Sequence, residues 1–274
     1  MKPDFTFFVS HVEVNLFCNN SETLGALSAV WASADQPVVP VTEKKRLIIR
    51  DHGVWCNDLQ VAEYDDISLQ LTSSELAINE LLPEWLSPYT SFHAALISKN
   101  QFACLLIGTS GSGKSSLAWQ AVKSGWTFHT DELAVTDGDL FWGVRRSIQF
   151  DATQAREALP VHFEVADRDV YKWHDVNLGQ LAQPIIPVPG TAGTVSLGMV
   201  TTVLLSMGGE DSLTPVEPVV TLLHLHEGCF GKPKHDLGAL TGKAFFLNWR
   251  EPEVAIRCLE QTLNHQTNLS ARSS

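Results

Sequence analysis

The residues best placed to do chemistry form a glycine-rich run, Gly108-Thr109-Ser110-Gly111-Ser112-Gly113-Lys114-Ser115. Its spacing satisfies G-x-x-x-x-G-K-[ST], the pattern of a loop that cradles phosphate. Glycines let successive backbone N–H groups turn inward, and a helix starting at the lysine adds its positive end. Lys114 then has the reach to touch the β- and γ-phosphates of a nucleoside triphosphate, and the Ser115 hydroxyl can ligate Mg²⁺. Gly108 through Ser116 are the candidate nucleotide-binding residues.

Asp131 and Glu132 follow Lys114 by 17 and 18 positions. That interval suits one short helix and a returning strand, which would bring both acids beside the loop in a right-handed β-α-β unit. Phosphoryl transfer needs carboxylates there. One can hold Mg²⁺, here Asp131 with Ser115, and another can accept the proton of an attacking hydroxyl.

His93 precedes the loop. The run His93–Ile97 reads as a strand, Ser98–Gln101 as a turn and Phe102–Ile107 as the strand feeding the loop. A hairpin centred on Lys99-Asn100 pairs His93 with Leu106, at the sheet edge where α/β proteins hold ligands. His93 can donate a hydrogen bond to phosphate there, or carry a proton near neutral pH.

Weaker candidates follow. Arg145-Arg146, after a hairpin turning at Asp137-Gly138, can bind a phosphoryl oxygen or lie as surface charge. Lys232 and Lys234 in GCFGKPKHD can touch phosphate or sit in a solvated loop. His224, His226, Cys229 and His235 do not have the spacing of a tetrahedral zinc set.

The elements that must position these groups are legible in part. Ser116–Ser124 has good helix formers and Gly125 where a C-terminal cap belongs. Trp126–Thr130 reads as the returning strand. Towards the N-terminus, Val12–Leu16 alternates as a half-buried strand, and Ser21 caps a helix reaching Ala34 with Leu24, Leu27, Val30 and Trp31 on one face. Arg46–Arg50 and Val54–Tyr64 read as two strands joined at Asp51-His52-Gly53. A helix capped by Ser73 or Ser74 runs to Leu82, where Pro83 stops it. Residues 1–88 thus form a small α+β module without a chemical constellation. Beyond Phe150, Asp151–Ala158 reads as a helix, Val161–Val165 as a strand, Pro184–Gly193 as a loop and Val195–Met207 as a core strand. Val219–His226 and Glu253–Leu263 read as helices, with a disordered tail from Asn268.

Composition excludes several classes. The 274 residues are 44% hydrophobic, enough for a substantial core. A net charge of −12 argues against nucleic acid or an anionic membrane as a generic partner. Five scattered cysteines without C-x-x-C spacing fit reduced thiols and a cytoplasmic location. There is no run of about 18 apolar residues, so no membrane span is expected.

The stretch GTSGSGKSS followed by AWQAVKSGWTFHTDE resembles HPr kinase/phosphorylase and, more closely, bacterial HPr-kinase-related proteins. That family carries a histidine on the strand before its phosphate loop and an acidic dyad at the end of the next strand. On that pattern His93 matches the histidine, Gly108–Ser115 the loop and Asp131-Glu132 the dyad. The resemblance covers residues 91–146, about a fifth of the chain. It implies an α/β P-loop domain of the HPr kinase type over residues 89–274, preceded by the module at 1–88. It also implies ATP- and Mg²⁺-dependent phosphorylation of a serine on a small protein or peptide, with one dyad acid as base. Two departures stand out. The dyad is Asp-Asp in HPr kinase and Asp-Glu here, and the family's glycine-rich signature with a central arginine is not found downstream. HPr as substrate and a phosphorylase activity do not carry over. Alternatives compatible with the motif are a small-molecule kinase and a nucleotide-dependent regulatory ATPase or binding module. Self-association is left open.

Overall fold

The computed structural model describes residues 2–31, 34, 36–149, 170–175, 179–186 and 193–270. The fold is mixed α/β, and the chain divides into two units, Met1–Ser87 with Val144–Pro189, and Pro88–Gly143 with Gly190–Ser274.

The first unit opens with β1 (Phe5–Val9), β2 (Val12–Cys18), α1 (Ser21–Val30) and β3 (Glu43–Arg50). It continues with β4 (Gly53–Cys56), β5 (Leu59–Glu63) and α2 (Gln70–Trp85). These five strands form one sheet in sequence order, with β2 and β3 parallel across α1. Alternation puts Val12, Val14 and Leu16 of β2 inside with Leu47 and Ile49 of β3, under Leu27 and Val30 of α1. Three local expectations need correction. The cap of α1 is Asn20, whose side chain accepts from the Glu22 and Thr23 N–H groups, not Ser21. The segment 54–64 is two strands, because Asn57 and Asp58 take positive φ and reverse the chain. Pro83 lies inside α2, which ends at Trp85. So close to the end, its missing N–H and ring cost one bond of the last turn without stopping the helix.

The second unit carries β6 (Thr90–Lys99), β7 (Phe102–Ile107), α3 (Lys114–Lys123), β8 (Thr127–Thr130), β9 (Leu133–Thr136) and β10 (Leu140–Gly143). The chain then returns to the first unit with β11 (Ile148–Gln149), β12 (Val170–Asp175) and β13 (Gly179–Ile186), a small antiparallel sheet in the order β11-β13-β12. Back in the second unit come β14 (Val195–Ser196), β15 (Val200–Met207), β16 (Ser212–Pro215), α4 (Pro218–Gly228), β17 (Ala244–Trp249) and α5 (Pro252–Ser270). The expected continuous domain from 89 to 274 is therefore interrupted. Val144–Pro189 belongs with the first unit, where Ser147 Oγ donates to Ala29 O at 2.6 Å and Arg146 reaches Glu75 at 2.8 Å. The expected single strand Val195–Met207 is broken by a 3-10 turn at Leu197–Met199, and Pro184 falls within β13 rather than in a loop. The expected helix at 151–158 and strand at 161–165 lie outside the described residues, as do 187–192 and the end of the tail. Helix α5 runs to Ser270, so Asn268–Ser270 is helical where disorder was expected.

Among the described residues the second unit has a nine-stranded sheet, in the order β14-β10-β9-β6-β7-β15-β17-β16, with β8 also on β6. Strands β7, β15 and β17 are parallel neighbours, so Gly108, Gly208 and Trp249 stand together at their carboxyl ends. On one face Phe92, Ala94, Leu96, Leu105 and Ile107 pack with Leu225 of α4 and with Leu237 and Leu240. The alternating residues Ala95, Ile97, Cys104 and Leu106 turn to the other face, which α3 covers with Leu117, Ala118 and Ala121.

Candidate functional site

The Gly108–Ser115 segment joins β7 to α3, the strand–loop–helix context the motif requires. Gly113 is the N-cap residue of α3, at φ 85 and ψ 22, a left-handed conformation that favours glycine. It has no side chain to cap the helix, and there is no acid in the first turn. A helix leaves its first N–H groups without intrahelical acceptors, so this end of α3 offers donors and positive potential to an anion. Gly108 is required sterically, since a Cβ there would overlap Ser112 Oγ and lie 2.8 Å from Ser112 Cβ. Ser112 Oγ is buried and makes no hydrogen bond. Thr109, Ser110 and Gly111 are exposed, and Ser115 and Ser116 are half-buried.

Lys114 is buried, and its Nζ donates to the carbonyl oxygens of Gly108 at 2.7 Å and Thr109 at 3.3 Å. Burial lowers its pKa, while the charges of Asp131 and Glu132 push it back up. The acids thus help to keep the ammonium charged.

The acids reach that position by a route the sequence did not show. Strands β7 and β8 are both antiparallel to β6, so they run parallel to each other with β6 between them. Strands β8 and β9 both pair with β6, and the Asp131-Glu132 step is where one gives way to the other. Thr130 Oγ1 accepts from the Glu132 and Leu133 N–H groups at 3.2 and 3.1 Å, and Ala94 N–H donates to Glu132 O at 3.1 Å. Asp131 is buried and Glu132 half-buried.

The pairing expected for His93 is corrected. Asn100 takes φ 56 and Asn100-Gln101 closes a two-residue turn, so Lys99 pairs with Phe102 and Ala95, not His93, with Leu106. A shift of two residues keeps each side chain on its face. It carries His93 one step beyond the Ala94–Ile107 pair, level with Gly108, while on its other side His93 pairs with Leu133. His93 keeps a solvent-exposed surface, yet the surrounding protein is dense enough for burial to lower its pKa. Lys114 lowers it further and Glu132 raises it. The lysine, the histidine and the acids therefore share one electrostatic neighbourhood.

Two aromatic residues escaped the sequence reading. Phe230 stacks on His93 with ring centroids 6.1 Å apart at 27°. It is held there because Phe92 bridges Cys229 and the Phe230 N–H donates to Ser91 O at 2.9 Å. The same segment is tied down further along, where the Lys234 and His235 N–H groups donate to Thr90 Oγ1 at 2.8 and 3.1 Å. The lysine side chains themselves are exposed. Trp249 is the second, its Nε1–H donating to Ser112 O at 3.2 Å. The aromatic residue inside GCFGKPKHD was the available signal for Phe230; nothing local marks Trp249.

Arg145 and Arg146 are not where the sequence reading put them. Both are buried in the first unit, where the Arg146 guanidinium pairs with Glu75 at 2.8 Å and lies 4.8 Å over the Trp31 ring. The surface-charge alternative is equally incorrect. At the far end of β6 and β7, a cleft with about 380 Å³ of open space is lined by Lys99, Phe102, Trp126 and Glu260. Its charges are paired, Lys99 to Glu260 at 2.7 Å, and it holds none of the motif residues.

Among the described residues no group of three or more His, Cys, Asp or Glu could hold a metal. Ser115 and Asp131 supply hard oxygen donors, a set that fits Mg²⁺ held by one carboxylate together with a ligand's phosphates. No described helix is long and apolar enough to cross a membrane.

No protein-family model matches the chain, and neither does any curated protein. Among solved structures the Hpr(Ser) kinase/phosphatase from Coxiella burnetii is similar at 13% identity, over 66% of this chain and 98% of that one, with a TM-score of 0.31. A likeness that loose carries no conclusion about this protein.

Proposed function

We propose that the chain is a kinase that transfers a phosphoryl group from Mg-ATP to a serine hydroxyl on a small protein or peptide. One observation carries this reading. Gly108, His93 and the Asp131-Glu132 step lie side by side on three adjacent strand paths, and the Lys114 charge responds to both acids. A phosphate loop alone suits any nucleotide-binding protein; a loop with a carboxylate pair and a histidine at its mouth suits hydroxyl activation.

The residues divide the work by position. Backbone N–H groups of the loop and of the first turn of α3 orient the phosphates, and the Ser115 hydroxyl and Asp131 hold the metal side. Mg²⁺, when bound, neutralises charge on the phosphates. Lys114 holds the phosphoryl oxygens with its ammonium. Glu132 is half-buried beside it and accepts the proton of the acceptor hydroxyl as the oxygen attacks phosphorus. His93, biased towards its neutral form, donates an N–H to the phosphoryl group without adding a second full charge beside Lys114. With this chemistry a cytoplasmic location is the natural one.

The test is γ-phosphoryl transfer from ATP to small proteins and peptides of the same cell, with water alone as control. Serine phosphorylation that disappears in Lys114→Ala supports the proposal. Release of phosphate to water only would replace the kinase reading by a nucleotide hydrolase, and transfer to a metabolite would replace the acceptor class.

A further inference from the structure

Trp249 ends β17 and is 3% exposed. Its indole N–H donates to the Ser112 carbonyl at 3.2 Å, from a residue 137 positions away. Its six-membered ring lies so close to Gly113 that a Cβ on that glycine would overlap it. The Ser112 carbonyl and the Gly113 N–H belong to one peptide plane, and in a trans peptide they point in opposite directions. An indole that holds the carbonyl therefore turns the Gly113 N–H to the opposite side of that plane. Gly113 sits at φ 85, where glycine lets the plane rotate at little steric cost. Rotation would present a carbonyl oxygen where the amide proton stood, and to a phosphate that exchanges attraction for repulsion.

We propose that Trp249 is a positioning residue for the phosphate loop, holding the Ser112–Gly113 peptide in the orientation that offers the Gly113 N–H to a polyphosphate. The ring packs against Gly113 and the N–H selects one of two peptide orientations. The inference rests on the phosphate-binding reading of Gly108–Ser115, but the orientation of the peptide is measurable without ligand.

The variant is Trp249→Phe in the full chain, which keeps a ring against Gly113 and removes the donor. Affinities for Mg-ATP, Mg-ADP and AMP are measured by calorimetry, and the Gly111 and Gly113 amide signals by NMR of the free protein. ATP and ADP affinity should each fall on the order of tenfold, the scale of one lost buried hydrogen bond. AMP, without the β-phosphate, should be nearly unaffected. The two glycine signals should be single in the native protein and should broaden or split in the variant. Unchanged signals with unchanged ATP affinity overturn the proposal, as do unchanged signals with an equal loss for all three nucleotides, the mark of a merely structural role. Broadened signals in a protein whose native form binds no nucleotide would keep the latch and sink the nucleotide reading. Should the variant fail to fold, hydrogen exchange of the native Trp249 indole proton decides: slow exchange supports the latch and fast exchange overturns it.

Discussion

Each unit buries a cation near carboxylates, and the two clusters differ in what completes them. In the first unit Arg146 bonds Glu75 at 2.8 Å and Asn79 at 3.3 Å and lies over the Trp31 ring. Hydrogen bonds, charge and packing for that guanidinium come from side chains of the same fold. In the second unit Lys114 rests on two loop carbonyls, beside a helix end without a side-chain cap and a buried Ser112 hydroxyl without a partner. Asp131 and Glu132 stabilise its charge but burial works against it. A cation whose partners are side chains of its own fold is a device for stability. On the proposed reading, an uncapped helix end and a buried hydroxyl without a hydrogen bond at a glycine loop serve a ligand that arrives from outside.

That contrast breaks most sharply on the cations. Lys114→Ala should lower phosphoryl transfer on the order of 10³-fold, since a charge acting on the transferring group is lost, with little change in melting. Full transfer in the variant would end the contrast. Arg146→Met should instead unfold the protein at lower urea, costing about 3–5 kcal/mol because Glu75 is left buried with an uncompensated charge. Adding Glu75→Gln should recover much of that loss; a double variant no better than the single would show that packing on Trp31, not the ion pair, carries the effect.

Carboxylates sharpen the comparison within the site. Glu132→Gln should reduce transfer about 10²-fold while ATP binding survives, as for loss of a general base. If Asp131→Asn does this and Glu132→Gln does not, the roles are exchanged. Both changes remove a charge that raises the Lys114 pKa, so the alkaline loss of ATP binding should move to lower pH in either variant.

The smallest effect is expected at His93. His93→Ala should lower turnover while stability stays within about 1 kcal/mol; large destabilisation with normal turnover would make the histidine a packing residue. Burial, with Lys114 nearby, holds its folded pKa below the ordinary histidine value of about 6.5, so the native state binds fewer protons than the unfolded chain in that window. The stability it contributes is present above the unfolded value and is lost as pH falls through the lower folded pKa. The variant should therefore melt with a flatter acid-side pH dependence than the native protein.

Much of the candidate site was legible because its signals are local. Strand, glycine loop and helix read directly from Phe102 to Ser124, and Asp131-Glu132 fell at the end of a returning strand. His93 stays on the sheet face expected for it despite a wrong pairing, because the turn at Asn100 shifts the register by two and faces repeat every two residues. Arg145 and Arg146 misled for the opposite reason: their closeness to the hairpin in sequence says nothing about Glu75, 71 positions before Arg146.

By itself the amino-acid sequence determined the phosphate-loop pattern, the acidic pair and the short elements that carry them, since turn chemistry, helix capping and alternation act over a few residues. Only the tertiary structure decided that β6 separates the loop strand from the acid-bearing strand, that residues 144–189 return to the first unit, and that Trp249 and Phe230 flank the loop and the histidine. Those outcomes depend on which distant apolar surfaces can be buried together while every strand finds its hydrogen bonds. That is a property of the whole chain, and no local window of sequence contains it.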